Sequence, residues 1–129
     1  MLSARRLIVV LASLALAGCD VWPTVVQNDT RQKISVQYRH KDYDFWSSLI
    51  DITPGKATSL ARGHWAKDIQ GLKFWDDTGV YVMNAKVLNS LHRVCDDAPT
   101  GYITYSANGH VRISRIEPRN IQFMTLKGP

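Results

Sequence analysis

The sequence predicts a mainly β domain, a small antiparallel β-sandwich of about seven short strands with one short helix near residues 85–95. Three observations lead there. Apolar residues alternate with polar ones at Ile34, Val36 and Tyr38, and again at Leu72 and Phe74, which is the period of a strand with one buried face. Turn-forming groups recur at near-regular intervals, at Asn28-Asp29-Thr30, Thr53-Pro54-Gly55-Lys56, Asp76-Asp77-Thr78-Gly79 and Asn108-Gly109. Helical periodicity occurs once: Val87, Leu88, Leu91, Val94 and Cys95 fall on one face at i, i+1, i+4, i+7 and i+8, and Asn84 is placed to cap that helix.

Taken in order, Cys19 to Thr24 reads as a tether, because Trp22-Pro23 biases the chain away from helix. The domain runs from Val25 to Leu126, and Lys127-Gly128-Pro129 is expected to fray. Val25-Val26 forms a short first strand, and Asn28-Asp29-Thr30 turns it through side chains that bond nearby backbone. Ile34 to Tyr38 is the second strand, and His40-Lys41-Asp42-Tyr43-Asp44 is polar enough to be a loop. Phe45-Trp46 and Leu49 to Ile52 read as extended, with Trp46 and Trp75 in core or cross-strand packing. Pro54 and Gly55 suit the second and third positions of a type II turn, after which Ala57 to Ala61 resumes as strand. Arg62 to Asp68 has neither period and is a loop carrying an aromatic. Leu72 to Trp75 and Val80 to Met83 flank the next turn, and Asp96 to Gly101 ends the helix. Ile121 to Leu126 supplies a last edge strand.

The final hairpin can be registered from its apolar faces. A two-residue Asn108-Gly109 turn alone would pair Tyr105 with Arg112 and put Ile103 and Tyr105 on the face opposite Val111 and Ile113. A three-residue loop, Ala107-Asn108-Gly109, pairs Tyr105 with Val111 and Ile103 with Ile113, so all four share one face. The expected geometry is therefore a type I turn followed by a G1 bulge, with Gly109 at positive φ.

The chain of 129 residues carries a formal charge of +5, with its basic residues scattered among acids rather than clustered. That excludes a nucleic-acid footprint and allows at most mild attraction to an anionic membrane surface. The first eighteen residues have the organisation of a secretory signal: Arg5-Arg6, then an apolar run from Leu7 to Ala17, then small residues. That run is shorter than the ~20 residues a bilayer-spanning helix needs. Leu16-Ala17-Gly18-Cys19 resembles the lipobox of bacterial lipoproteins. The resemblance implies that residues 1–18 are removed, that Cys19 becomes the first residue and receives the lipid, and that the domain is held on a membrane in the cell envelope. A domain so processed loses Arg5 and Arg6 and keeps a side-chain charge of about +3. Asp20 resembles the residue that retains such proteins at the inner membrane, favouring its periplasmic face, with the outer membrane as the alternative. With Cys19 lipidated, Cys95 has no internal disulfide partner and is expected to be a buried small hydrophobe. From Val26 to Val82, the order of Asn28-Asp29-Thr30, Pro54-Gly55 and Arg62-Gly63-His64 resembles the von Hippel-Lindau β-domain family. That resemblance implies a sandwich and places Arg62-Gly63-His64 where that family holds a hydroxyproline peptide; it implies no activity.

No grouping of residues carries a recognisable catalytic frame. His40, His64, His92 and His110 lack zinc-ligand spacing, the acidic turns match no calcium loop, and no glycine-rich phosphate loop is present. No metal and no cofactor beyond the covalent lipid on Cys19 is expected. Trp65, with Arg62, His64 and Lys67 beside it in an irregular loop, is the candidate partner-binding surface, although the same ring could instead fold back over a sandwich end. The expectation is a membrane-anchored, non-enzymatic module that binds an envelope protein, peptide or other envelope component. The alternatives are an envelope enzyme or metal-dependent module built from separated loops, with His64 and the Asp76-Asp77 turn, and a structural subunit of an envelope complex.

Overall fold

The computed structural model describes residues 24–60, 68–97 and 100–124. In chain order the elements are β1 (Thr24–Asn28), β2 (Ile34–His40), β3 (Ile50–Ile52), β4 (Ala57–Leu60), β5 (Ile69–Asp76), β6 (Gly79–Val82), α1 (Ala85–Asp97), β7 (Tyr102–Ala107) and β8 (His110–Ser114). They form two four-stranded sheets, β4-β1-β7-β8 and β3-β2-β5-β6, a small sandwich with a single short helix among the described residues. The alternating residues face inward as their period requires. Val26, Leu60, Ile103 and Tyr105 from the first sheet meet Ile34, Val36, Ile52, Leu72 and Phe74 from the second, all with essentially no exposed surface. Phe74 and Tyr105 stack across this interface with ring centroids 4.6 Å apart. The pairing is antiparallel except between β1 and β7, which run parallel with Val26 opposite Ile103.

Several local expectations are met. Lys56 N–H donates to Thr53 O at 3.1 Å and Gly55 has φ of 72°, the hydrogen bond and positive φ a type II turn requires. Asn84 Oδ1 caps the helix by accepting Val87 N–H at 3.0 Å. The helix continues through Asp96 and Asp97, two residues further than expected. The burial expected of Cys95 lies outside the described side chains.

Four expectations are corrected. Phe45-Trp46 is not strand, since β3 comprises only Ile50–Ile52. Trp46 instead lies in the irregular segment before it. The last segment makes a single parallel bridge, Ala57 with Phe123, rather than a strand through the described part of Ile121 to Leu126. β1 starts at Thr24, which pairs with Leu60, one residue before the expected start of the domain at Val25. The β7-β8 hairpin has the expected pairs, Tyr105 with Val111 and Ile103 with Ile113, but reaches them differently. Asn108 and Gly109 both have positive φ, 51° and 80°, the signature of a two-residue type I′ turn closed by Ala107 and His110. The extra residue is absorbed by a register shift between Tyr105 and Ala107. A type I′ turn matches the twist of the two strands, and moving the bulge into β7 keeps the apolar faces aligned.

The strand directions define two ends. At one end β1 finishes, β2 starts and β5 finishes, and here the sheets are tied by polar side chains. Buried Asn28 on β1 donates to Ile52 O on β3 at 2.9 Å and to Gln32 O at 2.7 Å, while its Oδ1 accepts Thr30 N–H and Oγ1–H. Tyr105 O–H donates to Asp76 Oδ2 at 2.5 Å and accepts Gly109 N–H at 3.0 Å. At the other end β1 begins, β2 finishes with His40, and β5 begins at Ile69, opposite His40.

Candidate functional site

The candidate partner loop Arg62, His64, Trp65 and Lys67 lies outside the described residues, as do Cys19 and Asp20. Asp68, the described residue that follows the loop, lies 3.9 Å from His40 Nε2, beside a recess. At the end of the sandwich where β1 begins, Tyr38, His40, Tyr43, Phe45 and Ser47 line a recess of about 210 Å³. His40, Tyr43 and Phe45 form a row of rings: His40 to Tyr43 is 5.5 Å between centroids and Tyr43 to Phe45 is 5.2 Å, both tilted. His40 is buried, whereas Tyr43 is 45% and Phe45 67% exposed, and Leu49 further along the same segment is 54% exposed.

This segment is irregular but tied down along its length. Tyr43 N–H donates to His40 O at 3.0 Å and Asp42 N–H to His40 Nδ1 at 3.2 Å, while Lys41 N–H donates to Asp68 O at 2.8 Å. Ser47 is held from three sides: its N–H donates to Tyr38 O at 2.8 Å, its Oγ accepts Tyr38 N–H at 3.0 Å, and its O accepts Gln37 Nε2–H at 2.9 Å. Trp46 lies on the outer face of β5 with Lys73 Nζ 4.1 Å from its ring centroid and Arg39 6.0 Å away. Gly71 makes room for it, since a Cβ there would come within 2.7 Å of the indole. Trp46 is thus a clamp that fixes the recess loop from behind. Trp75 does pack across strands, on the outer face, where its indole N–H donates to Gln37 Oε1 at 2.8 Å.

Carboxylates border the rings. Asp42 and Asp68 lie on either side of His40, at 3.6 Å from Nδ1 and 3.9 Å from Nε2, and Lys41 Nζ is 3.2 Å from Asp68. Accepting the Asp42 N–H requires a lone pair on Nδ1, which places a neutral imidazole's proton on Nε2, toward Asp68. The recess is thus lined by aromatic rings and bordered at His40 by the Asp42 and Asp68 carboxylates, a setting suited to a positively charged group. The sequence signal for it is Tyr43-Asp44-Phe45-Trp46, aromatics interleaved with an acid in a stretch too polar and irregular for a strand.

The Asp76-Asp77 turn has a different role. Asp76 Oδ1 accepts Thr78 N–H at 2.8 Å, Thr78 Oγ1–H at 2.6 Å and Gly79 N–H at 3.2 Å, and Oδ2 accepts Tyr105 O–H and Asn108 N–H. Burial works against ionisation here, but the donors from Thr78, Tyr105 and Asn108 outweigh it and lower the carboxyl to about 2. Burial in turn raises the Tyr105 phenol, helped by the bond to Asp76. Both oxygens of Asp76 are spent on the fold. A second recess, about 290 Å³, lies where β6 meets the β7-β8 turn, but its polar residues are similarly engaged: Asn84 caps the helix, Asn108 bonds Thr78 and Asp76, and Tyr81 bonds Thr78. Among the described residues, no helix is long and apolar enough to cross a membrane. No protein-family model matches the chain, and no curated protein or solved structure matches it.

Proposed function

We propose that the chain is a lipid-anchored envelope protein whose sandwich works by binding rather than by turnover. The anchor reading draws its support from Leu16-Ala17-Gly18-Cys19 and the signal-like segment before it, with Cys19 carrying the lipid and Asp20 favouring the periplasmic face of the inner membrane. The observation that carries the binding reading is the aromatic recess at Tyr38, His40, Tyr43 and Phe45, a preformed cavity whose walls are fixed by backbone bonds while two of its rings stay exposed. Preorganisation of this kind lowers the ordering cost of association.

Two measurements test this. Labelled palmitate should be incorporated into the wild-type chain and lost in Cys19→Ser, which should also accumulate as precursor; continued labelling of Cys19→Ser refutes the anchor. Crosslinking in isolated membranes should give an adduct that Tyr43→Ala/Phe45→Ala removes. An unchanged adduct with the double variant rules out the recess as the contact.

A further inference from the structure

We infer that the aromatic recess is a second membrane contact and takes the ammonium of a zwitterionic lipid headgroup, with Tyr43 and Phe45 entering the headgroup layer. This rests on the anchor reading above and gives the recess its ligand. The chain geometry comes first. Cys19 precedes Thr24 by five residues, and an extended chain spans at most ~3.3–3.6 Å per residue, so a lipid on Cys19 stays within about 18 Å of the start of β1. The recess is at that end of the sandwich. The polar ties at Asn28 and Asp76 are at the other, a seven-residue strand away, or about 23 Å. The recess therefore lies at the end of the sandwich from which the tether leaves, and the far end is held away from the bilayer by the length of the strands.

The exposed residues suit that position. Tyr43, Phe45 and Leu49 put two aromatics and a leucine into solvent on a segment whose backbone is otherwise held, and aromatic rings are favoured at the level of lipid headgroups. The chemistry of the recess selects the headgroup. Ring faces attract a cation, and the Asp42 and Asp68 carboxylates beside His40 add to that attraction. The same carboxylates repel a headgroup that is only anionic, and Lys41 is already paired with Asp68. At about 210 Å³ the cavity is smaller than the ~300–1,000 Å³ of sites that enclose a whole small molecule, so it fits the terminus of a headgroup projecting from a surface.

The test uses the lipidated protein reconstituted into vesicles of phosphatidylethanolamine with phosphatidylglycerol, and into vesicles of phosphatidylglycerol alone, with amide hydrogen exchange read across Asp42 to Trp46. Exchange there should slow about tenfold in the ethanolamine-containing vesicles relative to phosphatidylglycerol alone. Tyr43→Ala/Phe45→Ala and, separately, Asp42→Asn should abolish or reduce the difference while far-UV circular dichroism stays unchanged. Equal exchange in the two vesicle types overturns the inference, as does equal slowing by soluble phosphoethanolamine in detergent, which would make the ligand a free solute. Palmitate labelling of the same preparation separates the two readings. A labelled chain with no ethanolamine-dependent protection overturns the headgroup site and leaves the anchor standing, whereas an unlabelled chain overturns the anchor.

Discussion

Replacing Tyr105 by phenylalanine isolates the polar tie between the sheets from the apolar packing around it. The ring is fully buried and stacks on Phe74 at 4.6 Å, and phenylalanine keeps that contact. What is lost is the hydroxyl, which donates to Asp76 Oδ2 at 2.5 Å and accepts Gly109 N–H at 3.0 Å. A hydrogen bond to a charged group contributes ~1.5–3 kcal/mol and a neutral one ~0.5–1.5 kcal/mol. Gly109 is partly exposed, so water recovers some of the second bond. The expected loss is about 2–3 kcal/mol, which for a domain of this size lowers Tm by roughly 10–20 °C. Urea unfolding followed by tryptophan fluorescence should show a lower midpoint with an unchanged m-value. The pH dependence gives a second reading. Asp76 is lowered from 3.8 to about 2 in the fold, so its carboxylate contributes stability that is fully present above about 3.8 and is lost as the pH falls through about 2. Without the Tyr105 donor the folded value should rise toward 3.8, and the stability profile between pH 4 and 2 should flatten. A loss below ~0.5 kcal/mol, together with an unaltered acid profile, would refute the tie as a stabilising element.

Three further outcomes follow from the geometry. Gly55→Ala and Gly109→Ala should differ: both carry positive φ, costing ~1–2 kcal/mol, but a Cβ meets nothing within 4 Å at Gly55 and the Tyr81 ring at 2.7 Å at Gly109, so only the second should exceed that range in denaturant titration. Gly71→Ala should push Trp46 off β5, destabilising by ~1–3 kcal/mol and red-shifting tryptophan emission; an unchanged spectrum would remove Trp46 as the clamp. At alkaline pH, burial first and the Asp76 bond second raise Tyr105 above its ordinary value, and burial also raises Tyr102. The unfolded phenols ionise first, so stability should fall as the pH rises past about 10. Absorbance at 295 nm should show Tyr105 ionising last, with the late step gone in Tyr105→Phe.

The sandwich was legible because burial of one sheet face imposes a period of two on Ile34, Val36 and Tyr38 and on Leu72 and Phe74, whatever their partners. Hairpin register was legible for the same reason: only one offset puts Ile103, Tyr105, Val111 and Ile113 together. The route to that offset was not, because a type I′ turn with a bulge in β7 and a three-residue loop satisfy the same apolar pattern. The parallel pairing of β1 with β7 depends on residues far apart in the chain and leaves no local trace. The recess was hidden differently. Tyr43 and Phe45 occupy a segment with no periodicity, and their grouping depends on tethers to Tyr38 and Asp68 that appear only when β2 and β5 are side by side. Trp46 read as strand packing because an aromatic beside apolar residues usually is; Gly71, which accommodates it, is unremarkable until the two are in contact.

The placement of β1 has a consequence for how the molecule forms. β1 is an inner strand, and its two neighbours arrive at different times: β4 follows within the first half of the chain, whereas β7 belongs to the final hairpin. A chain stopped anywhere before Tyr102 lacks β7 and β8, so Val25 and Val26 keep one ladder and an open side. Topologies that join such distant segments fold slowly, on the order of milliseconds to seconds, because the connecting loop must be closed before its contacts stabilise anything. β1 is thus among the last strands to gain its full set of partners, and a nascent chain would keep it open to pairing with other molecules until synthesis is complete.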